Sequence, residues 1–392
     1  MRKILPILVV LAMVCASVPM VLAADPFPDQ LIDDANPAAD VATHVTIGGG
    51  STGGSAPIVK CKWEYDLTLV EGYPVHDADL VTDGLQVKPV IGGQVKVGFF
   101  AVVTDPDGVN TISSIYADVW HPNGDFKYQQ VLAPLGKSGS TYENTPAMAA
   151  WTHVTTYHND LITFNPSYTN ESEITEEIAQ NMAYVYYCEA YISYCQPGGW
   201  YLVGIRGCDT YNTWCNYLYN SFWYIPTSAI EIDFTEVNYG TFNIPSADFK
   251  WVPGDTLLNT PNFPTVRNTG NTPVNLYVWQ NDMNFGKTGE VWNVQFDARL
   301  GHPGVNGDVV YWPKTNATDH IGVPIPGTLL LCTQDKLDFS IHPTKGLPAA
   351  TFTGIMKLTA YINMSRYIWD TPSQWHQVAP GGVLDPTSHD GS

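Results

Sequence analysis

The sequence has 392 residues, of which 18 are Lys or Arg and 38 are Asp or Glu, so its formal net charge is -20 at pH 7. Charged residues make up 14% and aromatic residues 12% of the chain, whereas an ordinary soluble domain carries roughly 25% charged residues. Because 44% of the residues are hydrophobic, the chain can bury a large core, which excludes a disordered protein. The excess of acid repels phosphate, so nucleic acid is excluded as a partner and an anionic membrane surface is disfavoured.

The N-terminal segment is typical of a secretory leader. Arg2 and Lys3 precede an apolar run from Ile4 to Met20, and residues 21–23 are small or apolar, as signal peptidase requires. We therefore predict that residues 1–24 are a signal peptide, and that no membrane span remains after its cleavage. The predicted location is secreted, either extracellular or at the cell surface.

A flexible segment is predicted at residues 25–57, where several Asp, Pro and Ala residues lead into a Gly/Ser stretch at 48–55. Val41, Val45 and Ile47 alternate with other residues just before that stretch, as in a short strand. Two interpretations remain open. The segment is either a frayed terminus or a strand donated to the sheet edge of a neighbouring subunit.

Residues 58–230 have the alternating pattern of a first β-sandwich, with Asp-Pro-Asp-Gly and Pro-Asn-Gly turns between strands. One short helix is expected, because Ile174, Ile178 and Met182 fall on one helical face. Tyr184 to Cys195 and Trp200 to Cys208 are predicted to pair as a hairpin.

A second β-sandwich is predicted over residues 231–365. Its clearest strand places Phe352, Gly354, Met356, Leu358, Ala360 and Ile362 on one face. Residues 366–392 contain several Pro and Gly residues, and we expect an irregular tail there.

Six cysteines follow the predicted signal peptide: Cys61, Cys188, Cys195, Cys208, Cys215 and Cys332. An even number of cysteines in an exported protein predicts disulfides, and no C-x-x-C spacing indicates a metal or haem site. The predicted hairpin would bring Cys188 opposite Cys208 across a small bulge, which favours that pairing. A bridge between Cys61 and Cys332 would join the two ends of the folded chain.

Three N-x-S/T sequons without proline begin at Asn170, Asn316 and Asn363. Sequons arise by chance in a chain rich in Asn and Thr, but export makes these three asparagines candidates for glycan attachment.

No catalytic motif is present. The sequence lacks G-x-S-x-G, H-E-x-x-H, a P-loop and a dinucleotide-binding fingerprint, so we predict that the protein is not an enzyme. His153 and His158 are five residues apart, which on a strand places them on opposite faces, and we interpret them as surface or loop residues.

The one metal candidate is the loop Asp105–Asn110. Asp105, Asp107 and Asn110 supply oxygen ligands at alternate or nearby positions, and Gly108 permits a sharp turn, as at the start of a calcium loop. The distal Glu of an EF-hand is missing, and the same residues also suit a turn without an ion. Calcium is therefore a possible ligand, and no other cofactor is expected.

Tyrosine and tryptophan are concentrated between residues 184 and 224. About half of the aromatic residues in a strand face the core, but Tyr occurs on both faces of the segment Tyr184–Tyr194. Some of these rings must therefore be exposed, where they suit subunit interfaces and sugar-stacking surfaces equally well.

Two short sequence motifs resemble those of a known family: Trp251–Asp255, which contains a Pro-Gly-Asp turn, and Val266–Val274, which contains Asn-Thr-Gly-Asn before a strand. They resemble exported Ig-like sandwiches of prokaryotic, chiefly archaeal, surface layers and sheaths, and more weakly the fibre-forming camelysin-like proteins. Residues 337–354 resemble the closing hairpin of these sandwiches. The resemblance implies a fold that is mainly β, with two Ig-like β-sandwich domains and a cell-surface setting, and it implies no catalytic residues.

These features predict a secreted structural protein of the cell envelope, in a surface layer, sheath or extracellular fibre. It would assemble through β-sandwich contacts into a homo-polymer, or with other envelope proteins or glycans. The alternative is a carbohydrate-binding adhesin that uses exposed Tyr and Trp. A secreted hydrolase is the least favoured interpretation.

Overall fold

The structure is a computed structural model that describes residues 54–67, 85–122, 126–241, 249–260, 262–314, 322–345 and 348–363. The predicted signal peptide, the strand candidate with Val41, Val45 and Ile47, the sequon at Asn316 and the tail after residue 365 lie outside these residues. The fold is mainly β. Within the described ranges, no helix is long and apolar enough to cross a membrane.

The first half of the described chain contains eleven strands and two α-helices. They are β1 (Ile58–Asp66), β2 (Gln86–Val87), β3 (Gln94–Thr104), β4 (Ile112–Trp120), β5 (Phe126–Pro134), β6 (Lys137–Ser138), β7 (Thr141–Tyr142), α1 (Thr145–Tyr157), β8 (Thr163–Phe164), α2 (Glu171–Ala179), β9 (Ala183–Ser193), β10 (Gly199–Asp209) and β11 (Leu218–Tyr224).

Nine of these strands hydrogen-bond in the order β2-β11-β10-β4-β5-β9-β3-β1-β8. The path turns at β5, which pairs along most of its length with β4 and through its last two residues with β9. The two halves of the path therefore face each other, and β1 contacts both β10 and β11 across the gap. Apolar side chains from both halves fill the space between them, among them Val97 and Phe99 from β3 and Val203 from β10. This arrangement is a β-sandwich.

The hairpin predicted between Tyr184–Cys195 and Trp200–Cys208 is wrong. Strand β9 pairs with β3 and β5, whereas β10 pairs with β4 and β11. The loop between β9 and β10 carries the chain from one layer to the other. Alternation predicts that each segment is a strand, but it does not select the partner, because several strands present the same apolar pattern.

The predicted helix is present as α2, with Ile174 and Ile178 buried, although Met182 lies beyond its end and is half exposed. A second helix, α1, was not predicted. It buries Ala147, Trp151 and Val154, whose spacing of four and three residues is that of a helical face. The expectation of one helix is therefore wrong for the described residues.

The second half of the described chain also contains eleven strands. They are β12 (Ile230–Ile232), β13 (Lys250–Val252), β14 (Thr265–Asn268), β15 (Val274–Gln280), β16 (Lys287–Thr288), β17 (Val291–Trp292), β18 (Val294–Leu300), β19 (Val309–Tyr311), β20 (Val323–Pro324), β21 (Gln334–Pro343) and β22 (Met356–Ile362).

Two sheets form the layers of this second unit, one in the order β12-β14-β21-β18-β19 with β13 also on β21, the other in the order β20-β15-β22, and β16 and β17 pair as a separate two-stranded sheet. Phe296 and Phe339 from the first sheet and Leu276 and Val278 from the second share one apolar core. The unit is thus a second β-sandwich. Its final strand begins at Met356, later than the alternation from Phe352 suggests.

Candidate functional site

An aromatic face covers the outer side of β4, β10 and β11. The alternation of β4 points Ile115, Ala117 and Val119 into the core, which turns Tyr116, Asp118 and Trp120 outward. The cross-strand register sets Gly204 of β10 opposite Asp118 on one side and Tyr219 of β11 on the other. We call this surface, with Tyr116, Asp118, Trp120, Arg206, Trp214, Tyr217 and Tyr219, the aromatic face.

Gly204 allows the rings of this face to lie flat on the sheet. A Cβ atom at position 204 would lie 2.7 Å from the Tyr219 ring and 2.8 Å from the Tyr217 ring, closer than packed carbon atoms approach. In its absence the two tyrosine rings stack, with centroids 5.1 Å apart. Trp120 packs at 6.0 Å from each of them.

Arg206 lies among these rings. Its guanidinium carbon is 4.6 Å from the centroid of the Trp214 ring and 4.7 Å from that of Tyr217, which is within the range of cation-π attraction. Asp118, only 1% exposed, lies with a carboxylate oxygen 3.6 Å from Arg206 Nε. It accepts hydrogen bonds from the Tyr217 hydroxyl and, at 2.6 Å, from Gln129 Nε2. The buried acid therefore holds the cation and one ring in place.

The edge of the aromatic face is open to solvent. The Trp214 side chain is 42% exposed and the nearby Tyr211 60% exposed, and Tyr116 lies against Trp214 at 5.7 Å between centroids. A preordered set of aromatic rings around an arginine can stack on a sugar ring or on the side chains of a second protein.

Sequence reasoning found only part of this face. The Tyr-rich region contributes Trp214, Tyr217 and Tyr219, but much of that region is core, including Tyr184, Tyr186, Tyr201 and Tyr224. The sequence did not assign three residues of β4, Tyr116, Asp118 and Trp120, to this face, because β4 lies about ninety residues before Arg206 in the chain. Strand pairing alone brings them beside Arg206.

A cross-linked junction joins the two sandwiches. Cys195, just after β9, forms a disulfide with Cys332 of the second unit, with Cα atoms 4.8 Å apart. Next to it, the Gly198 amide donates to the Asn271 carbonyl at 2.8 Å. Asn271 is fully buried; its Oδ1 accepts from the Thr227 amide at 2.6 Å and its Nδ2 donates to the Ile225 carbonyl at 3.0 Å.

The Asn-Thr-Gly-Asn motif at residues 268–271 therefore has a structural role at this junction. Besides the bonds of Asn271, the carbonyl of Thr269 accepts from the Gly92 amide at 3.0 Å. A Cβ at Gly198 would lie 3.1 Å from Asn271 Nδ2 and 2.8 Å from the Pro226 Cα, so the close approach needs glycine. One covalent bond and several buried hydrogen bonds fix the relative orientation of the two units.

The predicted Cys188–Cys208 pairing is wrong, because β9 and β10 lie in different layers; a Cys61–Cys332 bridge is not formed either. Cys61, Cys188, Cys208 and Cys215 are free thiols. Burial raises the thiol pKa of Cys61, and burial and the nearby Glu189 raise that of Cys188 to about 12, so these two thiols are not reactive at neutral pH.

The loop of the calcium candidate closes on itself. Asp105 Oδ1 accepts from the Asp107 amide at 2.8 Å, and the Asp105 carbonyl accepts from the Gly108 amide at 2.8 Å. Asp107 Oδ2 accepts from the Ser55 amide at 2.5 Å, while Asn110 is exposed. Among the described residues, no group of three His, Cys, Asp or Glu side chains is placed to hold a metal ion. The loop thus has the geometry of a turn, which favours the interpretation without an ion, and calcium binding itself is untested.

The two described sequons differ in access. Asn170 is exposed at the start of α2, where its Oδ1 accepts from the Glu173 amide at 3.4 Å. Asn363 is 7% exposed, and its Nδ2 donates to Asn275 Oδ1 at 3.0 Å and to Thr328 Oγ1 at 2.8 Å. Since Nδ2 is the atom that carries a glycan, Asn363 does not fit the predicted role in the folded protein.

His153 and His158 are not on a strand. His153 lies on α1 and His158 follows the end of that helix, so their rings approach to 5.6 Å between centroids and both face the Tyr65 hydroxyl, at 3.4 and 3.5 Å. His158 lies in a loop, as predicted, but it is buried and not at the surface. His153 is a half-buried helical residue, so the interpretation as a surface or loop histidine is wrong for it. Burial lowers the pKa of His153.

No family model matches this sequence, and no curated protein matches it. Among solved structures, the chain is similar to the CsuC–CsuE chaperone–tip adhesion subunit pre-assembly complex from archaic chaperone-usher Csu pili of Acinetobacter baumannii, at 10% identity and a TM-score of 0.23, over 71% of this chain and 97% of that one. It is also similar to the C-terminal domain of the Streptococcus pyogenes antigen I/II-family protein AspA, at 11% identity and a TM-score of 0.20, over 78% and 96% of the two chains. These TM-scores are too low to bear on function, and the surface-layer and camelysin-like resemblance stays a prediction.

Proposed function

We propose that this protein is a non-catalytic structural component of the cell surface, which holds two β-sandwiches in a fixed relative orientation and assembles through their faces. The observation that carries the proposal is the Cys195–Cys332 disulfide across the junction of the two sandwiches. Structural disulfides form and persist outside the reducing cytosol. A covalently fixed junction preserves the relative orientation of the two units, which a repeating assembly requires.

The aromatic face is the proposed contact between subunits. Tyr, Trp and Arg are enriched at the energetically important centres of protein interfaces, and Arg206 and Trp214 are held in position before any partner binds. The face is neutralised locally by the pairing of Arg206 with Asp118, so the large negative charge of the chain does not oppose contact at this point. A strand donated from Val41–Ile47 is the second contact in this proposal.

Electron microscopy of two single-residue variants tests the proposed contact. Trp214→Ala removes an exposed ring from the aromatic face, whereas Trp312→Ala removes an equally exposed ring from the second unit, 43% exposed against 42%. We expect polymers for the wild type and for Trp312→Ala, and their loss or shortening for Trp214→Ala. Equal polymers from both variants would exclude this face as the contact. A deletion of residues 25–55 tests the donated strand in the same assay.

A glycan-binding adhesin is the second candidate, and the observation that favours it is the open edge formed by Trp214 and Tyr116. Aromatic side chains at such an edge can stack on the apolar faces of sugars. A glycan array with the wild type and the same two Trp variants distinguishes this function. Binding that is lost in Trp214→Ala and retained in Trp312→Ala supports the adhesin, and an array without any binding contradicts it.

A further inference from the structure

A buried polar trio lies inside the first sandwich. Lys62 and Glu64 are on β1, on the side of that strand that faces the opposite layer, and Asn220 is on β11 in that layer. Lys62 is fully buried and Glu64 is 2% exposed, while Asn220 is partly buried. A lysine and a glutamate are rarely placed in a sandwich core, because removing two charges from water costs several kcal/mol per ion.

The contacts within the trio bring three reactive groups together. Lys62 Nζ lies 2.8 Å from Glu64 Oε1 and hydrogen-bonds to Asn220 Oδ1. It also donates to the Val203 carbonyl at 2.8 Å. The second oxygen of the Glu64 carboxylate, Oε2, accepts a hydrogen bond from Asn220 Nδ2. One carboxylate therefore contacts both the amine of Lys62 and the amide nitrogen of Asn220, and the amine touches the amide group itself.

The surroundings favour the uncharged amine. Leu218 and Phe222, two positions before and after Asn220 on β11, are buried in the same core as Val203. Burial lowers the pKa of Lys62, and the neighbouring Glu64 opposes that shift. Transfer of a proton from the ammonium to the carboxylate leaves an amine and a carboxylic acid, both neutral, and the amine with its free electron pair is a nucleophile.

We propose that Lys62 and Asn220 condense to an intramolecular isopeptide bond, with Glu64 as the proton shuttle. Lys62 Nζ attacks Asn220 Cγ, a new Cγ–Nζ bond forms, and the Cγ–Nδ2 bond breaks. The protonated Glu64 gives its proton to Nδ2, which leaves as ammonia, and the resulting carboxylate takes one proton from Nζ. The product is one amide and one molecule of ammonia, Glu64 returns to its starting state, and no oxidant or reductant is involved.

The bond would join the first and the last long strands of the first sandwich, since β1 opens that unit and β11 closes it. It spans 158 positions of sequence, so it restricts the unfolded chain as a long-range disulfide does, but it is not opened by reductants. This inference does not depend on the proposed cell-surface role, because it concerns the chemistry of the core alone.

Mass spectrometry of the purified chain tests the proposal. After full reduction and denaturation, the measured mass of the wild type should be lower than the mass calculated from the sequence of the purified chain by one ammonia, about 17 Da. Digestion should yield one branched peptide that contains both Lys62 and Asn220, with no cleavage by trypsin after Lys62. Glu64→Gln and Lys62→Arg should each restore the full mass. Lys60→Arg, on the same strand beside Glu177, should still show the loss.

Three results would overturn the proposal. The first is a wild type of full sequence mass. The second is a mass loss with Lys62 and Asn220 recovered in separate peptides, because cyclisation of Asn220 onto its own backbone also releases ammonia. The third is a mass loss that persists in Lys62→Arg. If the bond forms, Glu64→Gln should also lower the Tm by about 10 °C or more.

Discussion

Removal of the Cys195–Cys332 disulfide tests how much the junction contributes to stability. The two cysteines are 137 positions apart, and closing a loop of that length lowers the entropy of the unfolded chain by an amount worth about 5 kcal/mol. Some of the junction remains in a Cys195→Ser, Cys332→Ser double variant, because the buried hydrogen bonds of Asn271 do not involve sulfur. We expect the double variant to fold and its free energy of unfolding to fall by about 3 to 5 kcal/mol.

Urea denaturation measures that difference, and thiol titration in denaturant establishes the pairing. The wild type, freed of residues 1–24, should titrate with four thiols, those of Cys61, Cys188, Cys208 and Cys215. The double variant should titrate with the same four, and a Cys188→Ser control with three. An unchanged free energy of unfolding in the double variant would refute the reasoning about the junction. A wild type that titrates with six thiols would contradict the Cys195–Cys332 pairing, and one with fewer than four would contradict the free thiols of the other four cysteines.

Three further predictions concern single sites. Burial raises the pKa of Asp297 to about 7, and the neighbouring carboxylate of Asp308 adds to the shift. The protonated carboxyl therefore stabilises the fold, fully below about pH 4, and this contribution of at most about 4 kcal/mol is lost as the pH rises through 7. Urea titrations at pH 5 and 8 should show that the free energy of unfolding falls in the wild type and not in Asp297→Asn. Gly204→Val should displace the stacked tyrosines and lower the free energy of unfolding by about 1 to 3 kcal/mol, and calorimetry that shows no change would mean that the rings do not need the glycine. Because the Asp105 turn is closed by its own hydrogen bonds, millimolar Ca²⁺ should leave the Tm unchanged, whereas a clear rise would show that calcium binds.

The sequence predicted the strands well and their partners poorly. The alternation of β3 and β4 and the two buried isoleucines of α2 follow from side-chain period, which is a local property. The partner of β9 depends on which strands lie beside it after collapse, and residues 184–208 do not contain that information. The same reason explains the wrong Cys188–Cys208 pairing: it was inferred from a hairpin, whereas Cys195 meets a cysteine of the other unit.

The candidate sites were predictable in part for a related reason. The abundance of Tyr and Trp indicated an aromatic surface, but its cation and its acid, Arg206 and Asp118, lie on two strands that only pairing brings together. The sequence did not indicate a buried polar cluster at Lys62, Glu64 and Asn220. A charged or polar residue in an alternating strand normally faces solvent, so these three residues would be placed at the surface. On β1 both faces are buried: Trp63 packs against Trp151 of α1, and Lys62 contacts the opposite layer. Only the fold shows this.

The central claim, that the chain is a structural protein that assembles through its aromatic face, is tested most directly by electron microscopy of the purified wild type beside Trp214→Ala and Trp312→Ala. The account predicts regular polymers of the wild type and of Trp312→Ala, and dispersed particles or short fragments of Trp214→Ala. Monomers of the wild type over the whole accessible concentration range would contradict it.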